Sequence, residues 1–264
     1  MGPIPKDYID FLHWLKNHTE DYWSRDPETS TSENKCPKWI HGAKWIGMTD
    51  EQIDEVEERY GFTFTPDHRL FLKILHTIDR KERVYEYYGS EEGEYYECSF
   101  MRNWLTDDED IKPRLNSVYD RILKDVIANK FWINSWGTRS GNVEERVNIF
   151  NEKYAKAPRL VPVIAHRYQV ADLSLETNPV LSILGTDIVY YGTDFRHYLL
   201  KELSEHLNIY HSVFDEEDQV WYWEVNDEYK DYFESYDKNN LPEFPFWKSF
   251  VLFDWTNHAN NIHL

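Results

Sequence analysis

Three short apolar runs stand close together in the second half of the chain. Leu160-Val161-Pro162-Val163-Ile164, Val180 to Leu184 and Ile188 to Tyr191 are rich in β-branched and aromatic residues and are bounded by turn residues, the pattern of buried strands. Gly185-Thr186-Asp187 turns the second run into the third, and Gly192 ends it. Thr193 or Asp194 then offers an N-cap, and Phe195, Tyr198, Leu199, Leu203 and Leu207 recur at helical spacing. The pattern predicts strand, loop, strand, turn, strand, helix, with the loop between Ile164 and Val180.

Upstream, Tyr8, Phe11, Leu12 and Leu15 predict a helix over 5–18. Residues 22–38, with Pro27, Thr29, Ser30, Thr31, Ser32 and Asn34, read as a linker. Thr49 and Gln52 form a capping box with Met48 and Ile53 as its staple, Ile53, Val56 and Tyr60 face a core, and Gly61 stops the helix. Thr65 and Pro66 start a second helix, with Leu70, Phe71, Ile74, Leu75 and Ile78 apolar. Tyrosine-rich runs on either side of Ser90-Glu91-Glu92-Gly93 predict a hairpin over 83–101. Asp107 to Asp110 is an acidic loop or helix start, and Val118, Ile122, Leu123 and Val126 give a helix within 116–129.

After Leu207 the character changes. Residues 215–237 hold ten acidic side chains against Lys230 alone, interleaved with Trp221, Tyr222, Trp223, Tyr229, Tyr232, Phe233 and Tyr236. The last four have helical spacing. Phe244 to Phe253 is a final apolar segment expected to dock on the body. The chain thus reads as an N-terminal helical extension and linker (1–45), a main domain (46–207) and an acidic, aromatic C-terminal extension (208–264).

Charge sharpens this picture. The chain of 264 residues carries −19 at neutral pH, with a pI near 4.9. Phosphates would be repelled, so nucleic acid is not an expected partner, whereas a basic protein would be steered toward it. Aromatics make up 17% of residues, too many for disorder. No apolar stretch reaches the ~18 residues of a membrane span, and the N-terminus shows no secretory signal and no myristoylation pattern. Two cysteines, Cys36 and Cys98, are too few for a disulfide framework and suit a reducing cytoplasm.

The motifs of catalysis do not appear: no HExxH, no paired CxxC, no phosphate loop and no nucleophile elbow, Ser140 standing one place too late in Gly137-Thr-Arg-Ser-Gly141. His166 follows a strand, yet no nucleophile is tied to it, and a structural role is the simpler reading. His206 and His211 are five apart and do not share a helical face. Asp187 reads as a turn residue accepting backbone amides. Tyr190 and Tyr191 point to opposite faces of a strand, one to the core. No cofactor and no metal site is expected.

The ordered run Asn178, Pro179, Val180, Ser182, Ile183, Thr186, Asp187, Ile188, Tyr190, Tyr191, Gly192, Asp194, Tyr198 and Leu199 resembles the C-terminal half of the SUKH superfamily, which includes the Smi/Knr-type regulators of fungal cell-wall synthesis and many bacterial immunity proteins. The stretch from Thr49 to Leu72 resembles that superfamily's opening helix pair. Trp136-Gly-Thr-Arg139 resembles a segment of long bacterial members, although Ser140 stands where Pro commonly follows and Lys130 where Gly is common. The resemblance covers about 48–207. It implies an α+β fold, a mostly antiparallel sheet flanked by helices, and structural roles for Trp136, Arg139, His166, Asn178, Pro179, Asp187, Tyr190, Tyr191 and Gly192. It further implies a non-enzymatic immunity protein that neutralises a polymorphic toxin, of nuclease or deaminase type, by covering its basic active site. Asp215, Glu216, Glu217, Asp218, Trp221, Trp223 and Glu224 are the candidate contact. A solvated acidic face over packed aromatics is the competing reading of that stretch. A Smi/Knr-like regulatory scaffold and a sugar-binding or glycoside-acting protein are the alternative functions.

Overall fold

The computed structural model describes residues 3–28, 36–86, 93–207, 209–233, 240–253 and 255. In chain order the elements are α1 (Tyr8–Trp23), β1 (Trp45–Ile46), α2 (Asp50–Tyr60), α3 (Pro66–Ile74), β2 (Thr77–Ile78), β3 (Lys81–Glu86), β4 (Glu94–Ser99), α4 (Asp108–Ile127), α5 (Val143–Tyr154), β5 (Arg159–Ile164), β6 (Arg167–Ala171), β7 (Val180–Leu184), β8 (Asp187–Gly192), α6 (Phe195–Glu202), β9 (Tyr210–Asp215), β10 (Val220–Val225), α7 (Lys230–Phe233) and α8 (Trp247–Val251). The fold is α+β, and among the described residues the named strands pair antiparallel, with one isolated parallel bridge between Ile46 and His76. The chain divides into two compact units, 1–107 with 196–235, and 108–195 with 236–264. Residues 1–45 and 210–225 therefore share a unit with 46–107, and the final apolar segment belongs with 108–195.

In the first unit, α1 extends past the expected end at residue 18, because Thr19, Tyr22 and Trp23 continue its buried face. The expected linker loses its first two residues to this helix, and Cys36, Ile40 and Ala43 beyond it are buried. Thr29 to Ser32 and Asn34 lie outside the described residues. Trp23 meets Trp45 at 5.4 Å and Phe100 edge-on at 5.9 Å. Such edge contacts add ~0.5–1.5 kcal/mol beyond area burial. His206 closes the cluster: the Trp23 Nε1–H donates to its Nδ1 at 3.1 Å. Arg196, early in α6, donates to the Lys6 carbonyl at 3.0 Å and lies 4.5 Å over the Phe11 ring.

The caps of α2 are as the sequence predicts. Thr49 Oγ1 accepts from Gln52 N at 3.2 Å, Gln52 returns the bond at 2.9 Å, and Gly61 ends the helix at φ 65°. Thr65 departs from expectation: its hydroxyl caps no backbone amide and donates to the Asp67 carboxylate instead. The buried face of α3 is His68, Phe71 and Leu72, with Leu70 and Ile74 half-buried. The helix stops at Ile74, so Ile78 is buried from β2. The predicted tyrosine hairpin forms as β3–β4, with Tyr85 opposite Tyr95. Its expected turn, Ser90-Glu91-Glu92, lies outside the described residues.

In the second unit, strand order is β5-β6-β7-β8. Strand β6 stands where a loop was expected. Its charged first residue, Arg167, and the fully buried Gln169 conceal it in sequence, yet it pairs with both neighbours. Pro162 is tolerated because β5 is an edge strand, and the register shifts just after it. One face of the sheet presents Leu160, Tyr168, Val170, Leu181, Ile183, Ile188 and Tyr190 to a single core with α4, Phe150 and the C-terminal Phe244, Trp247 and Phe250. Burial of each fully enclosed Phe or Leu contributes roughly 1.5–3 kcal/mol. Asp107 to Asp110 proves to be a helix start, with α4 beginning at Asp108, eight residues before the predicted span. Arg146 is buried and donates to four carbonyls, those of Val126, Ile127, Ser140 and Gly141, at 2.9–3.1 Å, so it caps the end of α4.

Candidate protein-binding hairpin

The acidic stretch is not a helical tail. It is the tip of a two-stranded ribbon, β9–β10, whose register sets Trp221 opposite Phe214, Trp223 opposite Ser212 and Glu224 opposite His211. Side chains opposite one another share a face. One face therefore carries Trp221, Trp223 and Phe214, exposed by 65%, 56% and 39%, with Trp221 and Phe214 rings 5.0 Å apart. The other carries Val220 and Tyr222, exposed by 51% and 43%. A ribbon with large apolar side chains exposed on both faces is a projection that water alone does not favour.

The seven candidate residues divide by role. The Asp215 carboxylate accepts from the amides of Glu217 at 2.8 Å and Asp218 at 3.1 Å, so it builds the turn. Gln219 completes the turn at φ 55°, its side-chain amide donating to the Glu216 carbonyl at 2.7 Å. Glu216, Glu217 and Asp218 are exposed at the tip. Glu224 is half-buried, 3.8 Å from His211 and 4.0 Å from Lys230. Lys230 also pairs with Asp227 at 2.7 Å, and that bond holds the Asp227 carboxyl below its ordinary range. The base is anchored: Asn226 N–H donates to the Ile209 carbonyl at 2.9 Å, and Ile209 and Tyr229 are buried. The helical spacing of the tyrosines is realised only as a short 3-10 turn (Asp227–Tyr229) and α7, with Tyr236 and Asp237 outside the described residues. Phe214, Val220 and Tyr222 belong to the ribbon but were not among the predicted contacts. β-branched and aromatic residues on both sides of Asp-Glu-Glu-Asp-Gln, at Val213-Phe214 and Val220-Trp-Tyr-Trp223, are the signal that marks them.

Charge is not spread evenly. The first unit holds 33 of the 48 acidic residues against 16 basic ones, and the second holds 15 against 13. The ribbon belongs to the strongly acidic unit.

The nine residues to which the family resemblance assigns structural roles all lie in the second unit. Trp136 packs in the core. Arg139 donates to Asn129 Oδ1 at 2.6 Å and to the same residue's carbonyl, just past α4. Burial, with Arg146 nearby, lowers its pKa. Asn178 Oδ1 accepts from Asp172 N at 3.1 Å, and the Pro179 carbonyl from Val170 N at 2.9 Å. Tyr190 is buried and stacks on Phe244 at 5.5 Å, whereas Tyr191 is half-buried beneath the Arg167 guanidinium at 3.9 Å. Gly192 closes β8 opposite Val180. His166 sits in the β5–β6 turn, its pKa lowered by burial and by Arg167 and Arg114. Asp187 departs from expectation: it is exposed at the first position of β8 and its carboxylate accepts no backbone amide among the described residues.

Among the described residues no three His, Cys, Asp or Glu side chains converge as metal ligands would, and no helix is long and apolar enough to cross a membrane. No family model, no curated protein and no solved structure matches this chain.

Proposed function

We propose that this chain is a non-enzymatic binding protein that neutralises a basic protein by inserting the β9–β10 ribbon into its active-site cleft. The observation that carries the reading is the ribbon itself, with aromatic side chains exposed on both faces and three adjacent carboxylates at the tip. A flat partner would cover one face. A concave partner covers both and brings its basic residues to the tip. Tyr and Trp are the side chains that anchor interfaces, and tip carboxylates raise the rate of encounter with a basic surface. An enzyme that acts on nucleic acid needs a basic cleft for phosphates, which makes a nuclease- or deaminase-type toxin the partner of best fit. The resemblance to SUKH immunity proteins points the same way. On this reading the protein works in the cytoplasm, needs no cofactor, and binds neither nucleic acid nor membrane.

The test is capture from lysate of the source cells at low and high salt, followed by assay of each captured basic protein for catalytic activity. The proposal expects an activity that the intact protein inhibits and that a Trp221→Ala, Trp223→Ala double variant does not. Inhibition that is equal for both forms would remove the ribbon from the interface. Capture only of wall-synthesis or signalling proteins, without inhibition, would favour the Smi/Knr-type scaffold. Binding of glycans that salt leaves unchanged would favour the sugar-binding reading.

A further inference from the structure

We propose that the outer edge of β10 binds by strand addition: an extended, Lys- or Arg-bearing segment of the partner protein pairs with it as a third strand. This inference rests on the protein contact proposed above and names its mode. Among the described residues β9 and β10 pair only with each other, so each keeps one edge without a neighbouring strand. The Asn226 N–H donates to the Ile209 carbonyl at 2.9 Å, one step beyond the Val225–Tyr210 pair. Bonded and non-bonded pairs alternate along an antiparallel ladder. The pairs Glu224–His211, Tyr222–Val213 and Val220–Asp215 are therefore the bonded ones. The N–H and C=O groups of Trp221, Trp223 and Val225 point away from β9. The ring contact of Trp221 with Phe214 at 5.0 Å agrees, because side chains approach most closely in the non-bonded pairs.

That edge lacks the features by which proteins block pairing, namely proline, a bulge or a charged side chain. The edge strand β5 carries Pro162 and a shifted register beside it. The β9–β10 register is unbroken, and Val220, Trp221, Tyr222 and Trp223 are consecutive, exposed and uncharged. The edge of β9 is less accessible, with Tyr210, Ser212 and Val213 half-buried. In strand addition, main-chain hydrogen bonds give affinity and alternate side chains give selectivity. One face of the added strand meets Trp221 and Trp223, where apolar side chains fit. The other meets Tyr222 and Glu224, where Lys or Arg fits. Charge selects the occupant. Glu216, Glu217 and Asp218 stand exposed at the end of the edge, in a unit with 33 acidic residues against 16 basic ones. A second copy of this chain would bring two such units together, and like charges oppose that. A basic strand is drawn in.

The experiment is NMR amide exchange on the full chain, with a short capped peptide of alternating Lys and Val as the probe. In the free protein the Trp221 and Trp223 amides should exchange fast and those of Tyr222 and Glu224 slowly. Saturating peptide should slow exchange at Trp221 and Trp223 by about tenfold or more. The same peptide N-methylated throughout keeps its charge, loses every N–H, and should bind about tenfold more weakly. Trp223→Ala and Trp223→Pro both lose the ring, but only proline loses the outward N–H, at a place an edge strand tolerates. The proline variant should bind the peptide about tenfold more weakly than the alanine one. Equal binding of the two peptides, binding that leaves both amides fast, or no binding at all overturns strand addition from the wild-type protein alone. None of these results touches the inhibitory contact itself, which the Trp221→Ala, Trp223→Ala variant decides in the inhibition assay. A dimer of the protein alone that grows with salt and protects the same amides would assign the edge to a second copy and overturn the choice of partner.

Discussion

Mild acid should destabilise this protein through two buried histidines of its first unit. His76 is almost fully enclosed, and its Nε2 accepts from the Trp104 amide at 3.0 Å. His206 accepts from the Trp23 indole at 3.1 Å and is edge-on to Trp23 and Phe100. Both rings act as acceptors, so both are neutral, and burial pulls each pKa from the usual 6.5 down to about 4. A histidine with a depressed folded pKa binds fewer protons folded than unfolded between those two values. Its contribution is complete above pH 6.5 and is lost as pH falls from there toward 4. Between pH 7 and pH 5 each histidine should cost about 2 kcal/mol, and the pair about 4 kcal/mol. His166, also lowered, acts in the same direction. Glu82, whose carboxyl burial raises, acts in the opposite one. A net loss of this size is a large fraction of a typical 5–15 kcal/mol stability. Urea denaturation at pH 7 and pH 5 measures it. His206→Gln keeps an acceptor for the indole and removes the titration, so it should cut the acid-induced loss by about half. Equal stability at the two pH values, or an undiminished loss in His206→Gln, would show that these histidines do not set the acid sensitivity.

Four further outcomes follow from packing, caps and exposure. Arg146→Met removes donors from four buried or half-buried carbonyls and should lower stability by about 3 kcal/mol or more in thermal or urea unfolding. Gly47→Ala places a Cβ 2.0 Å from the Lys73 carbonyl oxygen, a backbone atom, so a loss of ~1–3 kcal/mol is expected from the forced separation. Thr49→Ala deletes half of a reciprocal cap and should cost about 1 kcal/mol, while Trp221→Ala, on an exposed side chain, should change stability by less than ~0.5 kcal/mol.

Legibility in the sequence followed where the determining chemistry is local. Thr49, Gly61 and Pro66 mark helix ends by themselves, and those boundaries agree with the structure. The runs at 180–184 and 188–191 declare strands because both their faces are largely apolar. Strand β6 is different: Arg167 and Gln169 acquire their place only from pairing with β5 and β7. Helix α1 outlasts its predicted span because Trp23 finds partners at Trp45 and Phe100, distant in sequence. The ribbon escaped a strand assignment because alternation signals one buried face, and here neither face is buried. For the same reason Asp215 looked like a contact, whereas its carboxylate is occupied by the turn. The roles of His76 and His206 rest on long-range neighbours that no spacing announces.

We propose above that the acidic tip of β9–β10 and its aromatic faces make the inhibitory contact. The most direct measurement is inhibition of the captured basic enzyme as a function of salt, by the intact protein and by a Glu216→Gln, Glu217→Gln, Asp218→Asn variant. The intact protein should inhibit tightly at low salt and more weakly as salt rises. The variant should inhibit more weakly at low salt, with a flatter dependence, while its stability is unchanged. A variant that inhibits as strongly, with the same salt dependence, would remove the tip from the contact and leave it a solvated turn.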